Sequence, residues 1–214
     1  KAETYYQHLY DVAVTQNPSV YSGVNEGADF NVTAIDSLVN KGTGKNYGVE
    51  LTVERFYSKG YYYLITGSLF ESKYKGSDGI ERNTAFNSKY TLNVLGGKEF
   101  QMGPKNVLSV NSKGVLAGGK RYIPIDEAKS LLSGQPEYIN TEAYKNKYDD
   151  YFRLDFKIAF TRNGKHITQQ WAVDVQNITN RENVFIEIFD PYTRTVKTNY
   201  QMGLFIVPMY RITF

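Results

Sequence analysis

Hydrophobic and polar positions alternate over long stretches of this chain, and the clearest long stretch is the last one. From Tyr200 to Phe214 every second residue is uncharged and largely apolar: Tyr200, Met202, Leu204, Ile206, Pro208, Tyr210, Ile212 and Phe214. A period of two predicts a β-strand, because successive side chains point to opposite faces of a sheet. Strands of soluble proteins usually have about 5–6 residues, whereas a tilted strand needs roughly 9–11 to cross a membrane. The length of this stretch therefore favours a membrane strand.

The same alternation predicts seven further strands, so the fold class is all-β. The cleanest of them sets Phe152, Leu154, Phe156, Ile158 and Phe160 against a polar row that begins with Arg153 and Asp155. In the first strand, the residues predicted to share a face are Thr4, Tyr6, His8, Tyr10, Val12 and Val14. The eight predicted strands lie at about 1–15, 47–54, 61–72, 86–94, 107–118, 151–161, 167–176 and 200–214.

The predicted connections alternate between short and long. Tight turns are expected at 57–60, 103–106 and 163–165, where Asn163-Gly164 is a strong hairpin signal. Long connections are expected at 16–37, 73–84, 119–150 and 180–197, with one short helix at 125–132. Short turns at one end and long loops at the other are typical of an antiparallel transmembrane β-barrel of the bacterial outer membrane. A soluble β-sandwich, which has Greek-key connections, is the alternative.

Pro208 is the irregular residue of the final strand. Proline has no N–H group to donate to a neighbouring strand, so it requires a bulge or an unpaired position. We therefore expect the alternation to slip by one residue between Ile206 and Tyr210.

Composition narrows the function classes. The 214 residues include no cysteine, which rules out disulfides and thiolate metal sites within them. The 25 basic and 22 acidic residues give a net charge of +3, too balanced to suggest nucleic acid as a partner. A mean hydropathy of -0.47, with no apolar run near 18 residues, argues against a transmembrane helix. It does not argue against membrane strands, in which only alternate residues face lipid.

No pattern predicts catalysis, a cofactor or a firm metal site, so we expect no enzyme. His8 and His166 have no local catalytic partners, since Asp174 lies about 26 Å along the strand from His166. Ser77-Asp78-Gly79 and Glu26-Gly27-Ala28-Asp29 carry oxygen ligands without the spacing of an EF-hand calcium site. Gly118-Gly119-Lys120 lacks the spacing of a phosphate-binding loop.

Two groups of side chains are candidates for binding. Aromatic residues concentrate in the longest connection, where rigid amphipathic rings suit ligand recognition; they are Tyr122, Tyr138, Tyr144 and Tyr148. Charged residues on the polar rows would be costly in a sandwich core but suit a watery barrel lumen. The predicted lumen-facing residues are Arg153, Asp155, Lys157, Asp174 and Arg211.

Several segments resemble the late barrel strands of TonB-dependent outer-membrane receptors, especially those of Bacteroidota. The resemblance rests on TYYQHLYDVAV with the following NEGADFN, on GKNYGVELTVERFYSKGYYYLITGSLFESKY, on DYFRLDFKIAFTRNGK, on WAVDVQNITNRENVF and on the terminal YRITF. The segments together cover nearly the whole chain. Each segment alone is a modest motif, and the resemblance depends on their order and on the terminal Phe214.

The resemblance implies a 22-stranded barrel that encloses a plug domain and imports a scarce nutrient, with energy supplied by TonB. Residues 1–214 would be the C-terminal third of that barrel, with Tyr210, Ile212 and Phe214 as its assembly terminus. The implied partners are the rest of the barrel, the plug, TonB through the missing N-terminal part, outer-membrane lipid and a surface lipoprotein. Iron chelates, cobalamin, glycans and peptides are all open as substrates. The alternatives are a self-contained eight-stranded barrel with a structural or adhesive role and a soluble all-β binding module.

Overall fold

The described residues form an antiparallel all-β structure with one short α-helix and two single-turn 3-10 helices. A computed structural model describes residues 1–28 and 37–214. The strands are β1 (Ala2–Thr15), β2 (Leu38–Ser58), β3 (Tyr61–Lys75), β4 (Glu81–Asn83), β5 (Tyr90–Met102), β6 (Asn106–Ala117), β7 (Tyr151–Asn163), β8 (Thr168–Gln176), β9 (Val184–Asp190), β10 (Thr195–Tyr200) and β11 (Phe205–Thr213). The helix α1 spans Glu127–Ser133, close to the predicted position.

Eight strands form one continuous meander in the order β1-β2-β3-β5-β6-β7-β8-β11. The short strand β4 pairs with the C-terminal end of β3. Every pairing is antiparallel. The connections 59–60, 103–105 and 164–167 lie at one end of the sheet, and 76–89, 118–150, 177–204 and the described part of the β1–β2 connection (16–28 and 37) lie at the other. The predicted alternation of short and long connections is therefore confirmed.

The register places the predicted apolar rows on a single face of the sheet. Directly paired residues of antiparallel strands point to the same side. Ile158 pairs with Val110 and with Val173, and Val173 pairs with Pro208. The apolar face defined in this way includes Val49, Leu51, Val53, Ile65, Leu69, Leu92, Val94, Leu108, Val110, Leu116, Leu154, Phe156, Ile158, Phe160, Trp171, Val173, Val175, Ile206, Pro208, Tyr210 and Ile212.

This apolar face remains open. Leu51 is 55 % exposed and Leu69 is 62 % exposed, although both lie well inside long strands. The opposite side of the sheet, the polar face, carries matched polar pairs such as Lys113 with Asp155 and Lys157 with Asp174. An exposed apolar surface of this extent is typical of a face that contacts a protein partner or a membrane.

The prediction of a single loop from 180 to 197 was wrong. This connection contains a hairpin of β9 and β10, in which Thr195 pairs with Asp190 and Tyr200 with Val184. Tyr200 thus ends β10, and the final strand begins only at Phe205. The alternation of apolar residues runs on through residues 201–204, which are not part of a strand, so periodicity alone could not separate β10 from β11.

The predicted fourth strand was likewise too long at its start. Residues 84–89 belong to the connection, and β5 begins at Tyr90. Phe86 is an exposed turn residue, and Lys89 has a φ of 74°, which ends the extended conformation there.

The slip predicted at Pro208 is absent, and a slip occurs in β1 instead. The pairing of β11 with β8 is continuous from Phe205 to Thr213. Pro208 lies within this continuous pairing, in the strand that ends the sheet of the described residues. In β1 the register shifts between Leu9 and Val12, next to Asp11 with its φ of 55°. This bulge moves Val12 off the face predicted for it.

The buried core lies among the long connections rather than within the sheet. It comprises Ala28, Tyr74, Ala85, Ala143 and Tyr144. Tyr74 extends from the end of β3 into this cluster, and its hydroxyl donates to the carbonyl oxygen of Val20 at 2.8 Å. We call the assembly of long connections that surrounds this core the loop layer. Because it has its own core, the loop layer holds side chains in fixed positions.

The sheet has two free edges, β1 and β11, in the described residues. In the described residues β1 pairs only with β2, and β11 pairs only with β8. No closed barrel is formed by these strands alone, and each end of the sheet presents a row of backbone groups without a strand partner.

Candidate functional site

A cavity of about 370 Å³ opens in the loop layer. Its walls come from three connections: residues 20–28 after β1, residues 122–148 before β7, and Ile186 with Glu187 in β9. Small-molecule sites in proteins are usually cavities of about 300–1,000 Å³ lined by aromatic groups and a few polar ones. This cavity falls within that range.

All four tyrosines predicted from the sequence line this cavity. The rings of Tyr122 and Tyr148 are parallel, with centroids 4.2 Å apart and an interplanar angle of 3°. The Tyr148 hydroxyl oxygen accepts a hydrogen bond from the backbone N–H of Glu187 at 3.2 Å. Together the two rings form a flat aromatic wall that is fixed to β9.

The other two tyrosines have different surroundings. Tyr144 is 8 % exposed and packs edge-on against Tyr74, with ring centroids 6.0 Å apart. Tyr138 is 47 % exposed, and its backbone forms a bridge with Ile125. Tyr144 thus contributes to the core as well as to the cavity, while Tyr138 offers more of its surface to a ligand.

Backbone hydrogen bonds hold the two arms of the longest connection together. The Tyr144 N–H donates to the carbonyl oxygen of Tyr122 at 3.0 Å, and the Tyr148 N–H donates to that of Lys120 at 2.9 Å. These bonds bring Tyr122 and Tyr148 to the same end of the paired arms, and this explains the ring stack.

Arg121 fastens the paired arms to the rest of the loop layer. Its guanidinium donates to the carbonyl oxygens of Asn87 at 2.9 Å, Tyr144 at 3.1 Å and Lys145 at 2.8 Å. The residue is 9 % exposed. Arginine suits this task because its rigid fork of donors can satisfy several carbonyls at once.

Gly118 and Gly119 are explained by close backbone contacts. A Cβ atom on Gly118 would lie 1.8 Å from the carbonyl oxygen of Ser88, and one on Gly119 would lie 1.8 Å from that of Tyr148. Any side chain at these positions would force the backbone apart. The pair therefore serves the packing of the loop layer.

The cavity is acidic. Glu26 and Glu187 line it, and no lysine, arginine or histidine of the described residues does. Burial raises the pKa of the Glu187 carboxyl above its ordinary value, and Glu127 adds to the effect. Burial also raises the pKa of the Tyr122 hydroxyl, with a smaller contribution from Glu187. The Tyr21 hydroxyl donates to Glu26 at 2.8 Å.

Two buried polar atoms at this cavity, Ser22 Oγ and Asn25 Nδ2, have no hydrogen-bond partner among the described residues. The Ser22 side chain is 1 % exposed and lines the cavity. Buried hydroxyls are nearly always hydrogen-bonded, because an unpaired one costs roughly 1–3 kcal/mol. The neighbouring Asn25 is fixed, since its Oδ1 accepts from the Ala85 N–H at 2.9 Å.

The five predicted lumen residues lie elsewhere, all on the polar face. Arg153 Nε donates to Asp155 Oδ1 at 2.7 Å, and Asp155 also accepts from the Asn177 N–H at 2.8 Å. Lys157 lies opposite Asp174, and Arg211 lies opposite Gln170. The structure therefore separates these residues from the tyrosine cavity.

The two histidines and Asp78, considered for catalysis or calcium binding, lie in strands and turns, apart from the tyrosine cavity. His8 pairs with Lys45 within the sheet, and His166 lies in the 164–167 turn. Asp78 is held by Arg82 through two bonds of 2.9 and 2.7 Å, which occupies both of its oxygens. Asp29 lies outside the described residues. Within them, no cluster of three or more histidine or acidic side chains could hold a metal ion.

Sequence reasoning missed Ser22 and Glu187. The Ser22-Gly23 dipeptide indicates a turn, but nothing local shows that its hydroxyl is buried against the longest connection. Glu187 lies within the alternating run Val184–Asp190, a strand pattern that we had assigned to a loop. The alternation of Val184–Asp190 was the one signal in the sequence that could have placed Glu187 in a strand.

A search of protein-family models, curated proteins and solved structures finds no match to this chain. None of the helices in the described residues is long and apolar enough to span a membrane.

Proposed function

We propose that this chain is a segment of the β-barrel of a TonB-dependent transporter in the bacterial outer membrane, and that the cavity in its loop layer captures the imported nutrient. One observation carries the proposal: an eight-stranded antiparallel meander has a continuous apolar face, a polar opposite face, and all its long connections at one end. This combination is the general arrangement of outer-membrane barrels.

The dimensions of the apolar face suit a lipid bilayer. In β7 the apolar row runs from Phe152 to Phe160, a span of nine residues, and a tilted strand needs roughly 9–11 residues to cross the hydrocarbon core. The apolar band of such barrels is about 25 Å tall and is bordered by aromatic girdles. Near the short-turn end, Trp171 lies between Phe160 and Tyr210, with ring centroids 6.2 and 5.5 Å away. An aromatic row of this kind is expected at a membrane interface.

The open ends of the sheet favour a large barrel over a small one. A self-contained eight-stranded barrel requires pairing between β1 and β11, which stand at opposite ends of the strand order. Unpaired edges cannot persist in lipid, because the backbone groups there have no water to bind. We infer that strands outside these 214 residues complete the barrel on both sides, as in the 22-stranded transporters that the sequence resembles.

The transport role rests on the polar face and on the cavity. In such a barrel the polar face, with Arg153, Asp155 and Lys157, would surround a plug domain, and TonB would act through that domain. The long connections would face outward, where they would meet a nutrient or a surface lipoprotein. A soluble binding module is less consistent with this chain, because nothing in the described residues covers the apolar face.

Cysteine labelling in intact cells tests the topology. The 214 residues contain no cysteine, so single substitutions give specific labels in a full-length protein whose other cysteines, if any, are replaced. We expect a membrane-impermeant maleimide to label Gln135→Cys, in the longest connection, in intact cells. Lys105→Cys, in a short turn, should react only after the outer membrane is permeabilised. Labelling of Lys105→Cys in sealed cells, or recovery of the protein outside the outer-membrane fraction, would refute the proposal.

A further inference from the structure

We infer that the apolar side of the sheet carries a binding site for the phosphate-bearing headgroup of an anionic membrane lipid, where β1, β2 and β3 run toward the long connections. The inference rests on the proposed function for the leaflet in which this lipid lies, the outer one. It concerns neither the imported nutrient nor the tyrosine cavity. Three observations carry it: a row of basic side chains, the position of that row beside the apolar face, and a polar cavity next to it.

A row of basic side chains crosses three neighbouring strands. His8 of β1 pairs with Lys45 of β2, and Lys45 pairs with Lys73 of β3. Directly paired residues point to the same side, and like charges in such a pair destabilise a sheet. An anion bound between the two lysines would remove this repulsion. Because neighbouring strands lie about 4.8 Å apart, the row is roughly 10 Å wide, and one headgroup can reach all of it.

A single carboxylate is shared by the two lysines of the row. Glu81 of β4 lies 2.7 Å from the Nζ atom of Lys45 and 3.7 Å from that of Lys73. Lys75 pairs with Glu81 in the strand register and adds a third ammonium group to the same side. Three positive charges therefore face one negative charge. An ammonium group has three donors, so Glu81 leaves donors open to a phosphate.

The row borders the apolar face. Two residues along β2 from Lys45, Tyr47 pairs with Tyr6, and the two rings are stacked with centroids 6.5 Å apart. Two residues further, Val49 pairs with Leu69 on the apolar face. Each of these steps is roughly 7 Å along a strand. Tyrosine is typical of membrane–water interfaces, so the basic row lies one step into the headgroup layer, and the acyl chains of the same lipid would contact Val49 and Leu69.

A cavity of about 360 Å³ adjoins the row on the side of the long connections. Lys73 and Glu81 line it, together with Thr141 and Lys145 from the longest connection. The cavity offers space for the polar part of a headgroup whose phosphate contacts Lys73. A free phosphate ion needs neither this space nor the neighbouring apolar face, and a lipid uses both. The combination therefore favours a lipid over free phosphate.

Native mass spectrometry of the delipidated full-length protein in detergent tests the ligand class. The probes are diphosphoryl lipid A, monophosphoryl lipid A with the same acyl chains and one phosphate fewer, and phosphatidylcholine, which has no net charge. We expect one diphosphoryl lipid A to bind about 5-fold more tightly than the monophosphoryl form, the effect of one basic contact, and phosphatidylcholine to bind most weakly. Equal binding of all three lipids would overturn the inference, since acyl chains alone would then be recognised. Displacement of lipid A by an equimolar amount of inorganic phosphate would also overturn it.

Variants locate the binding on this row. Lys45→Gln combined with Lys73→Gln should weaken the binding of diphosphoryl lipid A by roughly 25-fold, as for two basic contacts of about 5-fold each. Lys105→Gln combined with Lys165→Gln is the matched control, because it removes the same charge from two exposed lysines in the short turns. Equal weakening in the two double variants would contradict the assignment of the site.

Removing the shared carboxylate gives a test in the opposite direction. Glu81→Gln should strengthen the binding of diphosphoryl lipid A by about 2- to 5-fold, because it frees both lysines from an ion pair. A variant that merely failed to fold would not gain affinity. Unchanged or weaker binding in Glu81→Gln would count against the role of the two lysines.

The binding test and the topology test fail independently, because binding is measured in detergent. A protein with the expected topology that does not bind diphosphoryl lipid A would contradict only this inference. A protein that binds lipid A through Lys45 and Lys73, but whose Lys105→Cys variant is labelled in sealed cells, would keep the lipid site and contradict the proposed function.

Discussion

The guanidinium of Arg121 donates to the carbonyl oxygen of Tyr144 at 3.1 Å, across the two arms of the longest connection. The same group reaches Asn87 in the preceding connection at 2.9 Å. One buried side chain therefore ties two long connections together beside the tyrosine cavity. The order of the candidate site depends on this residue.

Replacing Arg121 should loosen the loop layer. Arg121→Ala removes the side-chain donor of the Asn87 and Lys145 carbonyl oxygens, at a cost of roughly 1–3 kcal/mol for each that stays buried and unpaired. The Tyr144 carbonyl oxygen also loses one donor but still accepts from Asn83 Nδ2 at 3.3 Å. We expect chymotrypsin to cleave near Tyr144 and Tyr148 at least about 10-fold faster in outer-membrane vesicles. Lys145→Ala removes the same charge from an exposed ion pair with Glu142 and is the control. Equal cleavage of the two variants would contradict the role assigned to Arg121.

Asp150 should make the base of the longest connection sensitive to acid. Its carboxylate accepts from Lys147 at 2.8 Å, Tyr90 at 2.5 Å and the Gly119 N–H at 3.1 Å. The bond from Lys147, followed by that from Tyr90, lowers the pKa of Asp150 from 3.8 to about 2. A lowered pKa means that the carboxylate stabilises the folded state above pH 3.8, and that this contribution disappears as the pH falls to about 2.

Pepsin digestion at low pH measures this effect. Wild-type protein should resist cleavage in 118–150 better than Asp150→Asn at pH 4, and the difference should vanish near pH 2. Because both proteins meet the same protease at each pH, changes in pepsin activity cancel. A difference that persists unchanged to pH 2 would show that the carboxylate charge is not responsible.

The two faces of the sheet should respond differently to a new charge. Ile158→Arg places a cation on the apolar face, and a lipid-facing arginine near the bilayer midplane costs roughly 2–4 kcal/mol. Ser109→Arg places the same residue on the polar face, where it would lie opposite Glu99. Ser109 is a better control position than Asp155, because the Asp155 carboxylate already accepts from Arg153 and Asn177. Equal folding yields of the two variants in lipid would refute the assignment of faces.

The open ends of the sheet predict that residues 1–214 are not stable alone. Expressed as an isolated chain, they should aggregate or be degraded, because β1 and β11 would present unpaired backbone edges. Co-expression of the missing strands of the same protein should restore a protease-resistant, membrane-embedded form. A stable monomer in detergent from the isolated chain would instead support the small self-contained barrel.

The alternation of residues was enough to predict the main sheet. The existence of the eight strands and the order of short and long connections follow from local periodicity, as in Phe152 to Phe160. Their details do not all follow: β2 begins at Leu38, nine residues before the predicted start at 47, and the bulge in β1 moves Val12 off its predicted row. The tyrosines of the cavity were also predictable, because they concentrate in one connection. Their arrangement was not, since the stack of Tyr122 on Tyr148 depends on backbone bonds between two arms.

The errors arose where long-range or single-residue effects decide the structure. The bulge beside Asp11 depends on one residue with positive φ, for which a single sequence offers no periodic signal. The hairpin of β9 and β10 was hidden because its alternation merges with that of β11. The roles of Ser22 and Arg121 come from contacts with residues far along the chain, which a local pattern cannot show.

The central claim is that the apolar face of this sheet contacts lipid, and spin labelling of neighbouring residues tests it most directly. Nitroxides placed one at a time at Leu154, Asp155, Phe156, Lys157, Ile158 and Ala159, in the full-length protein reconstituted in bilayers, report collisions with oxygen in lipid and with a nickel chelate in water. We predict that accessibility to oxygen is high at 154, 156 and 158 and low at the positions between them, with period two. Accessibility of Ile158 to the nickel chelate, or protection of Ile158 from both reagents as in a packed soluble core, would contradict the account.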